Sequence, residues 1–348
     1  VWLILWTIAV TRVVLPATGH DWNTLLEPWR QWDARWYLEI AANGYSTDQV
    51  STAFFPLYPI AIKFIGLCLN GQYLLASLIV SNIAALGCFI MLYRTAAKLV
   101  DEHMARRATV LFSVFPTAIF LFAGYTEALF LFLCLIFMDQ LSRGQWLFAG
   151  LYGALASATR VPGVLLIVPF VFEWVRQSRQ RKVQVRDLCF GMLVPSGALL
   201  YALYLYVQFG NALLFFDSAR VWRDMVLPWI PLMQTVRVIA TGVMVVPNVI
   251  ELTVTLIFIG LTVQSFFTLP KVYGIFMAMM ILLPLSTTFN GSTAIPLAAM
   301  SRYVLVAFPA FILLPLRLSV SSFLLVVTIC AVLQTLFCML FMQSFYVG

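Results

Sequence analysis

The segment from His20 to Tyr45 puts a carboxylate where carboxylates are seldom placed. Trp22, Trp29, Trp32 and Trp36 make it too aromatic for a plain solvated loop, and its charges make it too polar to cross a membrane. Pro28 suits the first turn of a helix and Asn43-Gly44 its end, which predicts about four helical turns. At 100° per residue Trp29, Trp32, Trp36 and Ile40 form one stripe, the pattern of a helix lying in the membrane interface, where tryptophan is favoured. Asp33 falls inside that stripe. A carboxylate on such a face can look into a lipid-lined cleft and take a proton from an incoming hydroxyl. The plainer account is an ion pair with Arg30 at i−3, or a cap on a neighbouring segment. Arg35 lies about 160° away on an ideal helix and is no direct partner. Asp21, directly after the first apolar run, is the alternative catalytic acid.

The elements that must hold these residues are membrane spans. The 348 residues are 62% hydrophobic and only 10% charged, with a mean hydropathy of +0.96, far outside the range of soluble domains. Apolar runs predict spans at 1–17, 73–97, 108–123, 125–140, 146–158, 161–175, 188–209, 248–268, 272–289, 303–316 and 319–343, which makes an all-α polytopic membrane protein of about eleven transmembrane helices. The whole chain, 1–348, is expected to be one transmembrane catalytic domain. Residues 54–69 carry Pro56, Pro59 and Lys63, so they read as a re-entrant or broken segment, with a full span as the alternative. Residues 1–17 contain Arg12 and lead into no small-residue cleavage pattern, so a span is expected there rather than a signal peptide.

Basic residues gather at Lys98 to Arg107, Arg143, Arg176 to Arg186, Lys271 and Arg317, and short basic loops stay on the cytoplasmic side. This leaves 18–72 as a first outer loop with the interfacial helix, 210–247 as a second large outer loop, and 123–126, 158–162 and 289–302 outside as well. Asp21, Glu27, Asp33, Glu39, Asp48, Glu127, Asp217, Asp224 and Glu251 map to or beside that outer face. The formal charge of +7 is what cytoplasmic loops supply, so no nucleic-acid partner is expected. His20 and His103 are far apart, the six cysteines contain no C-x-x-C pair, and neither G-x-G-x-x-G nor Asp-x-Asp occurs. No metal or other cofactor is therefore expected.

Several motifs follow one another in order: Trp32-Asp33-Ala34-Arg35-Trp36-Tyr37, Ile40-Ala41, Gly44-Tyr45, Ala53-Phe54-Phe55-Pro56-Leu57-Tyr58-Pro59, Phe115-Pro116-Thr117-Ala118, Ala123 to Phe130, Ala158-Thr159-Arg160-Val161-Pro162-Gly163, and Ser301-Arg302-Tyr303. This order resembles the GPI mannosyltransferase family that adds the second mannose of the GPI anchor, together with its bacterial relatives. Residues 20–163 carry most of the match and the last third only Ser-Arg-Tyr. One departure stands at Trp36-Tyr37, where the eukaryotic enzymes resemble His-Phe. The resemblance implies a glycosyltransferase C (GT-C) fold and a hexose, mannose by analogy, taken from a polyprenyl-phosphate (dolichyl-phosphate-like) donor on the extracytoplasmic side. It also implies an acid of the first outer loop as base. The acceptor would be a glycolipid, glycan or protein. The location would be a bacterial plasma membrane with the site facing outside, or the endoplasmic reticulum lumen in a eukaryote.

Such a transfer requires a hydroxyl to lose its proton while the anomeric carbon loses phosphate, so one carboxylate and several cations must meet. Asp33 is the expected base, and by analogy with single displacement at hydrolases the anomeric centre inverts. For the phosphate the candidates are Arg160, Arg302, Arg220 and Arg223, because guanidinium forks hold phosphate oxygens bidentately. The plainer account of Arg160 and Arg302 is snorkelling to headgroups. For Arg220 and Arg223 it is local pairing with Asp217 and Asp224. Arg35, Tyr37, Tyr58, Glu127 and Tyr303 are candidates for substrate contact, Tyr37 and Tyr58 by stacking on a sugar ring, while the plainer account of Glu127 is a capping or structural acid. The rival class is a transporter or flippase for a lipid-linked sugar, which would show repeated halves and broken helices meeting near the midplane; no internal repeat is visible.

Overall fold

The computed structural model describes residues 26–46, 50–180, 183–289 and 294–345. The span expected at 1–17, and with it His20 and Asp21, lies outside the described residues. A single 3-10 turn, Glu27–Trp29, holds Pro28, and the chain then breaks at Arg30 to Trp32 before helix α1, Asp33–Asn43. The expected four-turn helix is thus cut. Trp32 has φ 52°, a left-handed backbone that no hydrophobic periodicity signals, and it resets the helix so that Asp33 becomes its first residue. Trp29 therefore leaves the stripe and packs against Phe341 instead. Gly44, at φ 84°, ends α1 as its position predicts.

Helix α2, Leu57–Cys68, resolves the proline-rich segment as one short helix after a 3-10 turn at Val50–Ala53. It packs along α3, Tyr73–Leu99, which runs about 40 Å and is the longest span. After α4, Glu102–Val114, the run expected to continue to 123 bends at Phe115 and Pro116 into a 3-10 helix, Pro116–Leu121. Then come α5, Glu127–Ser142; α6, Trp146–Ser157; and α7, Ile167–Ser178, which a 3-10 turn at Val161–Leu166 precedes. The run at 188–209 is bent by 43° between α8, Val185–Cys189, with its 3-10 extension, and α9, Ser196–Phe209.

The expected loop 210–247 is itself folded, as α10, Leu214–Ala219; strand β1, Arg223–Met225; and α11, Trp229–Ala240. Helices α12, Val245–Thr268, and α13, Lys271–Leu285, follow, and strand β2, Thr287–Phe289, pairs antiparallel with β1. This small ribbon is the one departure, among the described residues, from an all-α expectation. The run expected as a span at 303–316 is bent by 81° between α14, Met300–Tyr303, with its 3-10 extension, and α15, Pro309–Leu313, with its own. Helix α16, Val320–Met342, closes the described chain.

Among the described residues four helices are long and apolar enough to cross a membrane, or six if each bent pair counts as one span, against the eleven expected. Their outward faces are aliphatic and exposed: Phe267 is 86% exposed, and only 11% of the most apolar stretch of α16 is buried. Surface of that kind is solvated by lipid, as befits an integral membrane protein. The core lies between α3, α5 and α6, with α4 against α3. Helix α5 starts at Glu127 and reaches, about 18 Å on, Asp139, which pairs with Lys98 and Arg143. On α5, Glu127 and the basic cluster of Lys98 and Arg143 therefore sit at opposite ends.

Close approach of backbones sets the turn that carries Arg160. A Cβ built on Gly163 would overlap the backbone of Ala156 and Ser157, where the 3-10 turn crosses the end of α6. Gly163→Ala is expected to destabilise the protein by about 1–3 kcal/mol, because backbone atoms must move to admit the methyl group. Thermal unfolding in detergent would register this as a lowered midpoint; an unchanged midpoint would mean the crossing is looser than described.

Candidate active site

A cleft of about 1250 Å³ opens between α1, the Arg160 turn, α10, the β1–β2 ribbon and α14. Asp33, Arg35, Tyr37, Arg160, Arg220, Arg223, Arg302 and Tyr303 all line it, so the fold brings together residues up to 270 positions apart in the sequence. The cleft-lining residues described include five arginines but only two acids, Asp33 and Glu39. A concave surface so charged focuses a positive potential on its interior. Trp36, Phe54 and Trp222 form one wall, with Trp36 stacked on Phe54 at 5.9 Å and Trp222 edge-on to both.

The Ala123 to Glu127 motif is the base on which α1 stands. Tyr125 Oη donates to the Gln31 carbonyl at 3.0 Å and so fixes the break that precedes Asp33. Thr126 Oγ1 lies 3.3 Å from the Tyr37 hydroxyl. Burial, reinforced by the charge of Asp33, pushes the Tyr37 phenol well above its ordinary pKa, so the group stays protonated. Asp33 sits at the helix N-terminus, where the backbone dipole favours an anion. Its Oδ2 accepts from Arg302 Nη2 at 2.7 Å. The carboxylate is 32% exposed, and it lines the cleft. Arg30 pairs with Glu27 rather than with Asp33, and Arg35 donates to the Arg30 carbonyl and to Gln31.

Glu127 is 1% exposed and does not line the cleft, which corrects its expected contact with an acceptor. Its Oε1 takes Arg160 Nη1 at 2.6 Å and lies 2.9 Å from Arg302 Nε, while Oε2 is buried without a partner. The carboxylate thus ties two cations to the protein interior. That also corrects the snorkelling account: both arginines are anchored inward, Arg160 with a side chain only 17% exposed. Tyr58 is fully buried, with its hydroxyl on Ser77 and Ser81, and cannot stack on a sugar. The Tyr37 ring is held edge-on by Phe54 and Tyr58, so only its cleft-facing part is available.

Arg223 does not pair locally. It donates to Thr287 Oγ1 at 3.2 Å and to the Ala298 carbonyl at 2.6 Å, because β1 is registered against β2 and turned into the cleft. Asp217 accepts from Asn211 instead of pairing with Arg220, whose guanidinium lies over Phe216 at 5.2 Å. The Tyr303 ring has three guanidiniums around it, Arg160 at 5.5 Å, Arg223 at 5.1 Å and Arg302 at 5.5 Å. Sequence reasoning left out Phe54, Trp222 and Thr287. Phe54 lay inside a quoted motif, but the other two carry no local signal, since only the tertiary ribbon brings them to the cleft.

Residues 16–222 match the family model described as Mannosyltransferase (PIG-V). The chain belongs to this family. Within it, GPI alpha-1,6-mannosyltransferase 2 of Mus musculus is 35% identical over 39% of this chain and 29% of that protein. GPI mannosyltransferase 2 of Schizosaccharomyces pombe is 26% identical over 44% of this chain and 34% of its own length. The chain spans about a third or less of the length of these PIG-V relatives. Among solved structures, ArnT from Cupriavidus metallidurans bound to undecaprenyl phosphate superposes with a TM-score of 0.52 at 12% identity, covering 92% of this chain and 61% of ArnT. That likeness establishes a shared GT-C fold.

The charge network of this PIG-V family member predicts unequal costs. Glu127→Ala removes the buried counter-charge that two guanidiniums share and is expected to cost about 3–5 kcal/mol of stability. Asp33→Asn removes a partly exposed partner and should cost about 1 kcal/mol or less. Denaturation of both variants in the same detergent decides it; equal costs would mean that Glu127 does not tie the arginines to the core.

Proposed function

We propose that the chain is a membrane glycosyltransferase that moves mannose from a polyprenyl-phosphate carrier to a hydroxyl of a glycolipid acceptor. The observation that carries this reading is a carboxylate on one wall of a cleft, facing guanidiniums on the others. An acceptor hydroxyl reaching Asp33 gives up its proton as the sugar–phosphate bond breaks. Arg160, Arg223 and Arg302, with Arg220 nearer the rim, take the negative charge that collects on the departing phosphate. Cations fixed in a partly desolvated cleft stabilise that charge more than water does, because they are already oriented. One carboxylate in direct reach of the acceptor fits a single displacement with inversion, so a β-linked donor gives an α-linked product.

Family membership supports mannose as the sugar, and the relatives' printed names support a GPI-type acceptor and an α-1,6 linkage. The bound lipid phosphate of ArnT, on the same fold, supports a polyprenyl-phosphate donor. The aromatic wall of Trp36, Phe54 and Trp222 suits the first isoprene units of the carrier and the apolar face of a hexose. With the basic helix ends in the cytoplasm, the cleft opens on the extracytoplasmic leaflet.

The test is reconstitution of the full chain with polyprenyl-phosphate mannose and a GPI-intermediate acceptor. Asp33→Asn is expected to lower the transfer rate by about 10²–10⁴-fold, the usual contribution of a general base, with little change in donor binding. Arg223→Lys, which keeps the charge but loses the planar fork, should raise donor KM more than it lowers kcat. Transfer by Asp33→Asn at the wild-type rate would remove Asp33 from the base role.

A further inference from the structure

Glu251 is a carboxylate inside one of the long spans, α12, and the chemistry described so far makes no use of it. Carboxylates in such positions are costly and are retained for a role. It is 8% exposed and does not line the cleft, so it cannot touch a substrate there. Both of its oxygens are spent on a single residue. Oε2 accepts from the Ser301 backbone N–H at 2.8 Å, and Oε1 accepts from Ser301 Oγ at 2.9 Å. From the other side Thr117 Oγ1 donates to the Ser301 carbonyl at 2.7 Å.

Ser301 immediately precedes Arg302 and Tyr303, in a helix of four residues that lacks length to hold itself rigid. Ala299, just before it, has φ 69°, a left-handed conformation that an alanine keeps only when its surroundings impose it. The clamp on Ser301 is the part of those surroundings that fixes the direction of the next two side chains. A carboxylate is suited to the task because two oxygens in one rigid plane meet a backbone N–H and a hydroxyl of the same residue.

We propose that Glu251 is a positioning residue of the donor-phosphate site, which sets the aim of Arg302 and Tyr303 at the lipid monophosphate by holding Ser301 at two points. This rests on the reading of Arg302 as a phosphate ligand. Glutamine at 251 can restore the clamp, since its carbonyl oxygen accepts from the Ser301 N–H and its amide donates to Oγ. Leucine fills a similar volume but leaves a buried N–H without an acceptor, which the segment relieves by shifting.

The experiment titrates undecaprenyl phosphate into the full chain in detergent, following the change in total tryptophan fluorescence, to which Trp36 and Trp222 of the cleft contribute, for wild type, Glu251→Leu, Glu251→Gln, Arg302→Gln and the Glu251→Leu/Arg302→Gln double variant. Glu251→Leu is expected to weaken binding about tenfold, with Glu251→Gln restored to within about threefold of wild type. If Glu251 acts through its neighbour, the leucine substitution adds little to Arg302→Gln. Should Glu251→Leu fail to fold, Glu251→Asp, one methylene short of Ser301, carries the same comparison. Wild-type affinity in the Glu251 variant, a full tenfold loss on top of Arg302→Gln, or a glutamine variant as weak as leucine overturns the inference. Wild-type affinity in Arg302→Gln overturns instead the phosphate reading beneath it.

Discussion

One guanidinium organises the site. Arg302 meets Asp33 from α1 and Glu127 from α5, and its side chain is 7% exposed. A charge so far out of water must keep partners, since desolvation costs several kcal/mol that only close counter-charges offset. Its geometry is therefore shared with theirs. Glu127 passes the constraint to Arg160, and the ring of Tyr303 lies against three of the five guanidiniums that line the cleft, so a few buried contacts set the positions of groups from five separate segments. An anion entering the cleft meets cations whose positions have already been fixed by the fold.

The membrane class was legible in the composition, and Asp33, Arg160 and Arg302, which the structure brings to one cleft, were marked in the sequence by an acid out of place among tryptophans and by arginines in the quoted motifs. What stayed hidden is what only tertiary contact decides. No spacing rule links Arg302 to Asp33, 269 positions away, and none says that Glu127 faces inward while Asp33 faces the cleft. Arg223 looked like a partner for Asp224 because sequence proximity is all that a chain without its ribbon offers. Tyr58 sat in a motif as conspicuous as Asp33's, yet its hydroxyl only ties α2 to α3. The shorter α1 had a different cause: a left-handed tryptophan has no signature in hydrophobic periodicity.

The runs that failed as simple spans share a physical origin. Bends fall at 115–116, between α8 and α9, and between α14 and α15, each beside a proline that cannot continue the hydrogen-bond ladder. Irregular backbone of this kind survives within a membrane protein only where protein, or a cavity it lines, surrounds it. Two of the bends adjoin residues that hold the cleft: Thr117, just after one, donates to the Ser301 carbonyl, and Arg302 and Tyr303, which line the cleft, lie on the short helix before another. The broken helices are thus the means by which backbone and side-chain polarity are brought together at one end of an otherwise apolar bundle.

Helix α12, which carries Glu251, is 24 residues long, about 36 Å, and exceeds the ~30 Å of a typical hydrocarbon core. Such a rod accommodates hydrophobic mismatch by tilting, at a small cost per ångström. The segments bearing Asp33, Arg160 and Arg302 are too short to feel bilayer thickness directly. The two bonds from Glu251 to Ser301 join the short helix of Arg302 to a rod long enough to answer to the thickness of the bilayer.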